Sequence, residues 1–167
     1  MKKKLFIKQI AVVIAAFICI GIALASDDGN STLVEINAAD GAGKVPGANN
    51  ADIQLLARAI NGEARGEPYE GQVAVGAVIL NRVRSSNFPK TISGVIYQPG
   101  AFTAVSDGQI NVPIASDSTV YKAARDAMNG WDPTNGCLYY WNPATATSKW
   151  IWSRQIIKTI GKHHFGI

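Results

Sequence analysis

The chain has 167 residues, of which 47% are apolar and 17% charged, with 16 Lys plus Arg against 12 Asp plus Glu. Four of the basic residues lie in the first eight positions and leave 12 against 12 beyond residue 25, so the basic balance carries no implication of nucleic-acid binding. Only two cysteines are present, and beyond residue 25 Cys137 stands alone, which excludes an intramolecular disulfide as the support of the fold.

Lys2, Lys3, Lys4 and Lys8 form a basic start, followed by the uncharged run Ile10 to Ala25. Sixteen apolar residues fall short of the about 20 that span a bilayer, and Ala23-Leu24-Ala25 has the small-x-small pattern of a signal-peptidase site. Residues 1–25 are therefore expected to be a signal peptide cleaved after Ala25, placing the protein in a bacterial cell envelope; an uncleaved anchor is the alternative. Cys19 lacks a preceding Leu-Ala-Gly, so no lipid anchor is expected. Residues 26–50, rich in Gly, Ala, Asn and Asp, read as a flexible linker. Residues 51–167 have the size of a single domain with one core.

Ile53, Leu56, Ala57 and Ile60 recur at i, i+3, i+4 and i+7, which predicts a helix. Asn49, Asn50 or Asp52 is placed to cap it, and Gly62 to stop it. Glu70 to Arg84 is apolar nearly all round, as in a helix buried in a core, with Asn81 and Arg82 on its more polar end. Gly76 within it predicts the close approach of another helix. Thr91 to Ile96 reads as a short helical segment. Tyr97 to Pro113 lacks a sustained period; it is read as an irregular cleft wall with a short strand near Phe102 to Val105. Ser116, Asp117 or Ser118 caps a third long helix, whose apolar face is Val120, Ala123, Ala124, Ala127 and Met128 and which Gly130 closes. Cys137 to Trp141 reads as a strand, and Ile156 to Ile160 with His164-Phe165 completes a small antiparallel sheet around Gly161. Strand alternation puts Trp150 and Trp152 on one face. Helices first and a small sheet late make an α+β domain.

Between the first two helices stands Asn61-Gly62-Glu63-Ala64-Arg65-Gly66-Glu67-Pro68. A carboxyl held there against apolar walls is kept protonated near neutrality, the state a general acid needs. The plain alternative is a polar turn whose charges neutralise one another. His163 and His164 are adjacent and offer no metal-ligand spacing, so no metal or other cofactor is expected. Cys137 reads as a buried, inert thiol. Of the domain's eight acids only Glu63, Glu67 and Asp107 stand where a cleft is plausible. The aromatic group Tyr139, Tyr140, Trp141, Trp150 and Trp152 suits either a small core or the stacking of sugar rings.

Gly62-Glu63-Ala64-Arg65-Gly66-Glu67-Pro68, Gly71-Gln72-Val73-Ala74-Val75 and Val78-Ile79-Leu80-Asn81-Arg82-Val83 together resemble the spore cortex-lytic enzyme family of cell-wall hydrolases, SleB type. Ala101-Phe102-Thr103-Ala104, Asn129-Gly130-Trp131-Asp132-Pro133 and Ala144 to Trp152 extend the resemblance to nearly everything beyond Asp52. It implies a lysozyme-like α+β domain that cuts the glycan strands of peptidoglycan, in spore cortex during germination. It also implies that Glu63 is the catalytic acid–base. Arg65, Glu67, Gln72, Thr103, Tyr139 and Trp152 are the supporting or substrate-binding candidates. The expected partners are peptidoglycan and a recruiting envelope protein, with the chain itself a monomer. Because so few acids are available, a single-Glu lytic transglycosylase is expected. A two-carboxylate muramidase, an amidase acting on the peptide stem and a non-catalytic wall-binding module are the alternatives.

Overall fold

Asn49 caps the first helix: its side chain accepts from the Ala51 and Asp52 N–H groups while the Asp52 carboxylate accepts from the Asn49 N–H, a reciprocal cap. The computed structural model describes residues 49–167; the predicted signal segment and the linker through residue 48 lie outside the described residues. Helix α1 (Asn50–Ala64) runs through Gly62 instead of stopping there. Gly62 serves another purpose, because a Cβ at this position would collide with the Ala104 side chain. Its missing side chain admits a second segment against α1 and leaves the helix intact.

Pro68 immediately precedes α2 (Tyr69–Arg84), in which every residue from Gly71 to Leu80 is buried. Gly76 has the predicted use: a Cβ there would lie 3.0 Å from Ile60 Cδ1 and 3.2 Å from Ala127 Cβ. Three helices meet at that point. Helix α5 (Thr119–Met128) buries the predicted face and is closed by Gly130 at φ +103°, although the Ser118 side chain makes no capping bond. Between them lie α3 (Ile92–Ile96), capped by Thr91, and α4 (Thr103–Ser106).

The strand expected near Phe102 is absent; Phe102 alone is extended and a helical turn follows it. A four-residue apolar run does not discriminate between the two. Phe102 and Ala104 are buried on either side of exposed Thr103, the alternation that suggested a strand, but the backbone coils after Phe102 and turns the Ala104 N–H to Glu63 on α1.

Strands β1 (Tyr139–Trp141), β2 (Ile156–Ile160) and β3 (His163–Gly166) form an antiparallel sheet in the order β1-β3-β2. Gly161, at φ +56°, makes the β2–β3 turn. The central strand packs on the helices through Phe165, which is fully buried. Trp150 and Trp152 do not share a face. The segment Ile151–Ser153 is a 3₁₀ turn, with the Ser153 and Arg154 N–H groups bonded to the Trp150 and Ile151 carbonyls, so its period is three and not two. The architecture is the expected α+β: a helical body with a small sheet at the C-terminal end.

Candidate active site

Glu63 occupies the last turn of α1, on the same stripe as Leu56, Ala59 and Ile60, all three fully buried. Position alone therefore draws the carboxyl half out of water. Its Oε1 accepts the Ala104 N–H at 2.7 Å and its Oε2 accepts the Tyr140 hydroxyl at 3.1 Å. Burial pushes the Glu63 carboxyl up, the bonds from Ala104 and Tyr140 draw it partly back, and the Asp107 charge adds a smaller upward push. Desolvation outweighs the hydrogen bonds, and the acid form is favoured above the usual carboxylate range.

The carboxyl faces a cleft of about 310 Å³. One wall is Gly100, Ala101 and Thr103; the opposite one is β1 with the loop Asn142 to Ser148 and Trp150; Arg82 and His163 lie between. Tyr139 is held edge-on by Trp150 at 5.0 Å between ring centroids. Glu63 is the only carboxylate on this lining among the described residues.

Of the predicted supporting residues, Thr103 and Tyr139 come together with Glu63 on the cleft. Arg65 is exposed and donates to Gln109 Oε1 at 2.7 Å, away from the lining. Gln72 is buried between the Glu67 carbonyl and the Thr119 hydroxyl. Glu67 turns toward the sheet: its Oε2 accepts the Lys162 N–H at 2.8 Å and lies 3.9 Å from His163 Nδ1. Trp152 is 50% exposed and off the cleft, while Trp150 lines it. Asp107 accepts the Gln109 N–H at 3.0 Å, the turn-forming use expected of an Asp-Gly pair.

Two lining residues, Arg82 and His163, escape a reading by sequence, and the aromatic group left open which of its rings, Tyr140 and Trp150 among them, reach the cleft. Arg82 does not belong to a polar helix end. It is only 7% exposed, and continues the buried stripe Val75, Val78, Ile79 at i+7, a spacing that was available as a signal. Tyr140 carries no local signal, because only the pairing of Tyr140 with Phe165 across β1 and β3 turns its ring inward. Burial lowers His163, leaving its imidazole neutral, and its ring stands edge-on to Tyr140 at 5.4 Å. Burial also raises the Cys137 thiol, whose Sγ donates to the Thr134 carbonyl.

Residues 66–166 match the family model described as Cell Wall Hydrolase. The spore cortex-lytic enzyme of Bacillus cereus is 64% identical over 119 residues, covering 71% of this chain and 45% of that protein. The chain thus spans less than half the length of that relative. The cell wall hydrolase CwlJ of Bacillus subtilis is 41% identical over 103 residues, covering 58% of this chain and 70% of that protein. Among solved structures, the catalytic domain of the germination-specific lytic transglycosylase SleB from Bacillus anthracis superposes with a TM-score of 0.69 at 61% identity, covering 74% of this chain and 99% of that one. The family model spans α2 through β3, beginning three residues past Glu63, and on this ground the chain belongs to the cell wall hydrolase family, with the fold of the SleB catalytic domain.

Proposed function

We propose that this protein is exported to the cell envelope and cleaves the glycan strands of peptidoglycan, in spore cortex during germination, as a lytic transglycosylase with Glu63 as its single acid–base. The observation that carries this reading is a desolvated carboxyl with no second carboxylate on its cleft among the described residues. The name of the Bacillus anthracis structure and the signal-like amino terminus support it.

With Oε1 engaged by the Ala104 N–H, the acid proton sits on Oε2. It passes to the bridging oxygen of the glycosidic bond as the bond from C1 breaks, the electron pair leaving with that oxygen. The sugar develops oxocarbenium character. The resulting Glu63 carboxylate removes the proton of the same sugar's 6-hydroxyl, and O6 bonds to C1, giving a 1,6-anhydro end and restoring the acid. No water is consumed. The Tyr140 hydroxyl donates to Oε2 and so stabilises the carboxylate that exists between the two proton transfers. Thr103 and the aromatic wall of Tyr139 and Trp150 hold the sugar, and burial keeps the Tyr140 phenol well above its ordinary range and therefore protonated.

Mass spectrometry of muropeptides released by the purified protein tests the reading. Products one water lighter than hydrolytic ones are expected. Reducing muramic ends as the primary product overturn it in favour of a two-carboxylate hydrolase, and free amide-bond ends in favour of an amidase.

A further inference from the structure

The Arg82 guanidinium is a buried cation with no ion-pair partner among the described residues. The side chain is 7% exposed, and desolvation lowers its pKa. Its Nε donates to the Leu138 carbonyl at 2.7 Å, and the rings of Phe88, Phe102 and Tyr139 surround Cζ at 5.3, 5.3 and 5.6 Å. These contacts hold the guanidinium in place on a residue that lines the cleft, and among the described residues its Nη1 and Nη2 donate to none. Glu63, the one acid on the lining among the described residues, is pushed toward its neutral form by burial, which weakens it as a counter-ion for Arg82.

Leaving such a charge unpaired in a partly dry site is costly, and a planar fork of N–H donors matches a carboxylate with two parallel bonds. A lysine ammonium lacks that geometry. We propose that Arg82 receives a carboxylate of the substrate beside the bond that Glu63 protonates, which makes it a specificity residue of the cleft. This rests on the glycan-cleaving reading. On a peptidoglycan strand the group has two sources: the lactyl carboxylate of a muramoyl residue without peptide, or a free carboxylate of a peptide stem.

The test uses full-length protein bearing Glu63→Gln, which binds without turnover, and glycan strands in four forms: stripped of peptide or peptide-bearing, each with free or methyl-esterified carboxyls. Esterification is expected to weaken binding about tenfold or more, equivalent to about 1.4 kcal/mol, and to remove most of its salt dependence. Loss confined to peptide-bearing strands assigns the stem carboxylate, and loss on stripped strands the lactyl group. Adding Arg82→Lys to the same protein, with folding checked by its melting temperature, should weaken binding to free carboxyls and leave binding to esterified strands unchanged. Equal affinity for free and esterified strands overturns the proposal even if Arg82→Lys does not fold. Because the readout is binding, carboxylate dependence without any cleavage by the unmutated protein upholds the site and rejects the glycan-cleaving reading.

Discussion

Tyr140 Oη lies 3.1 Å from Glu63 Oε2, and this bond joins the first strand of the sheet to the last turn of the first helix across 77 positions. It couples the late sheet to the acid. The bond favours the carboxylate form of Glu63, the form that must exist between the two proton transfers.

Tyr140→Phe removes a hydrogen bond to a group that becomes charged, a loss of about 1.5–3 kcal/mol. Turnover should fall roughly 10- to 100-fold. Because the lost bond lowers the Glu63 pKa, the alkaline limb of the pH–rate profile should move upward. A variant with the limb unmoved would place the Tyr140 hydroxyl outside the proton path.

Glu63→Gln retains shape and most hydrogen bonding but removes the mobile proton, and turnover should fall by at least about 10²–10⁴-fold. Its stability follows from the raised pKa. Protonated Glu63 stabilises the fold fully below the unfolded value of 4.5, and that contribution is lost as pH rises through the higher folded value. A glutamine stays neutral throughout. The melting temperature of Glu63→Gln relative to the unmutated protein should therefore increase from pH 4 to pH 8; a constant difference would deny the desolvation of Glu63.

Glu67 links the α1–α2 connection to the β2–β3 turn through the Lys162 N–H, and its side chain is 8% exposed. Glu67→Ala should cost about 1–3 kcal/mol of stability, read by denaturant unfolding. Turnover of the folded fraction should stay within a few-fold. Loss of turnover matching that of Glu63→Gln, with stability unchanged, would make Glu67 a catalytic group instead.

Gly62→Ala forces a methyl into the Ala104 side chain, whereas Gly66→Ala meets nothing within 4 Å. The first should cost about 1–3 kcal/mol and reduce turnover, because α4 must retreat and take the Ala104 N–H away from Glu63. The second should leave both nearly unchanged. Thermal melts and lytic assays of the pair check this.

Trp150 lines the cleft against Tyr139, with Arg154 Cζ 4.5 Å from the centre of its ring, and Trp152 stands apart. Trp150→Ala should raise KM several-fold with a smaller effect on kcat, and Trp152→Ala should leave both within about twofold. The reverse order would return the sugar platform to Trp152.

The helical core was legible in the residues themselves. The 3.6-residue stripes of α1 and α5, the unbroken apolar run of α2 and the left-handed glycines at 130 and 161 are local signals, and each element forms where its signal lies. Glu63 was singled out by the family resemblance and its place on the connection; that it continues the buried stripe of α1 follows only from the helix running past Gly62. Its hydrogen-bond partners were not legible. The Ala104 N–H reaches it across 41 positions and the Tyr140 hydroxyl across 77, and contacts of that separation are set by packing of whole elements, not by local preference. The same reason explains Gly62, Arg65, Glu67 and Gln72. Gly62 read as a helix stop and the others as one site around Glu63, yet tertiary contacts assign Gly62 to α4, Arg65 to Gln109, Glu67 to the β2–β3 turn and Gln72 to Thr119. The sequence by itself determined where the long helices and the late strands form and narrowed the candidate acids to Glu63, Glu67 and Asp107. Tertiary packing decided which groups surround Glu63, because a side chain's solvent and partners depend on the elements stacked against it.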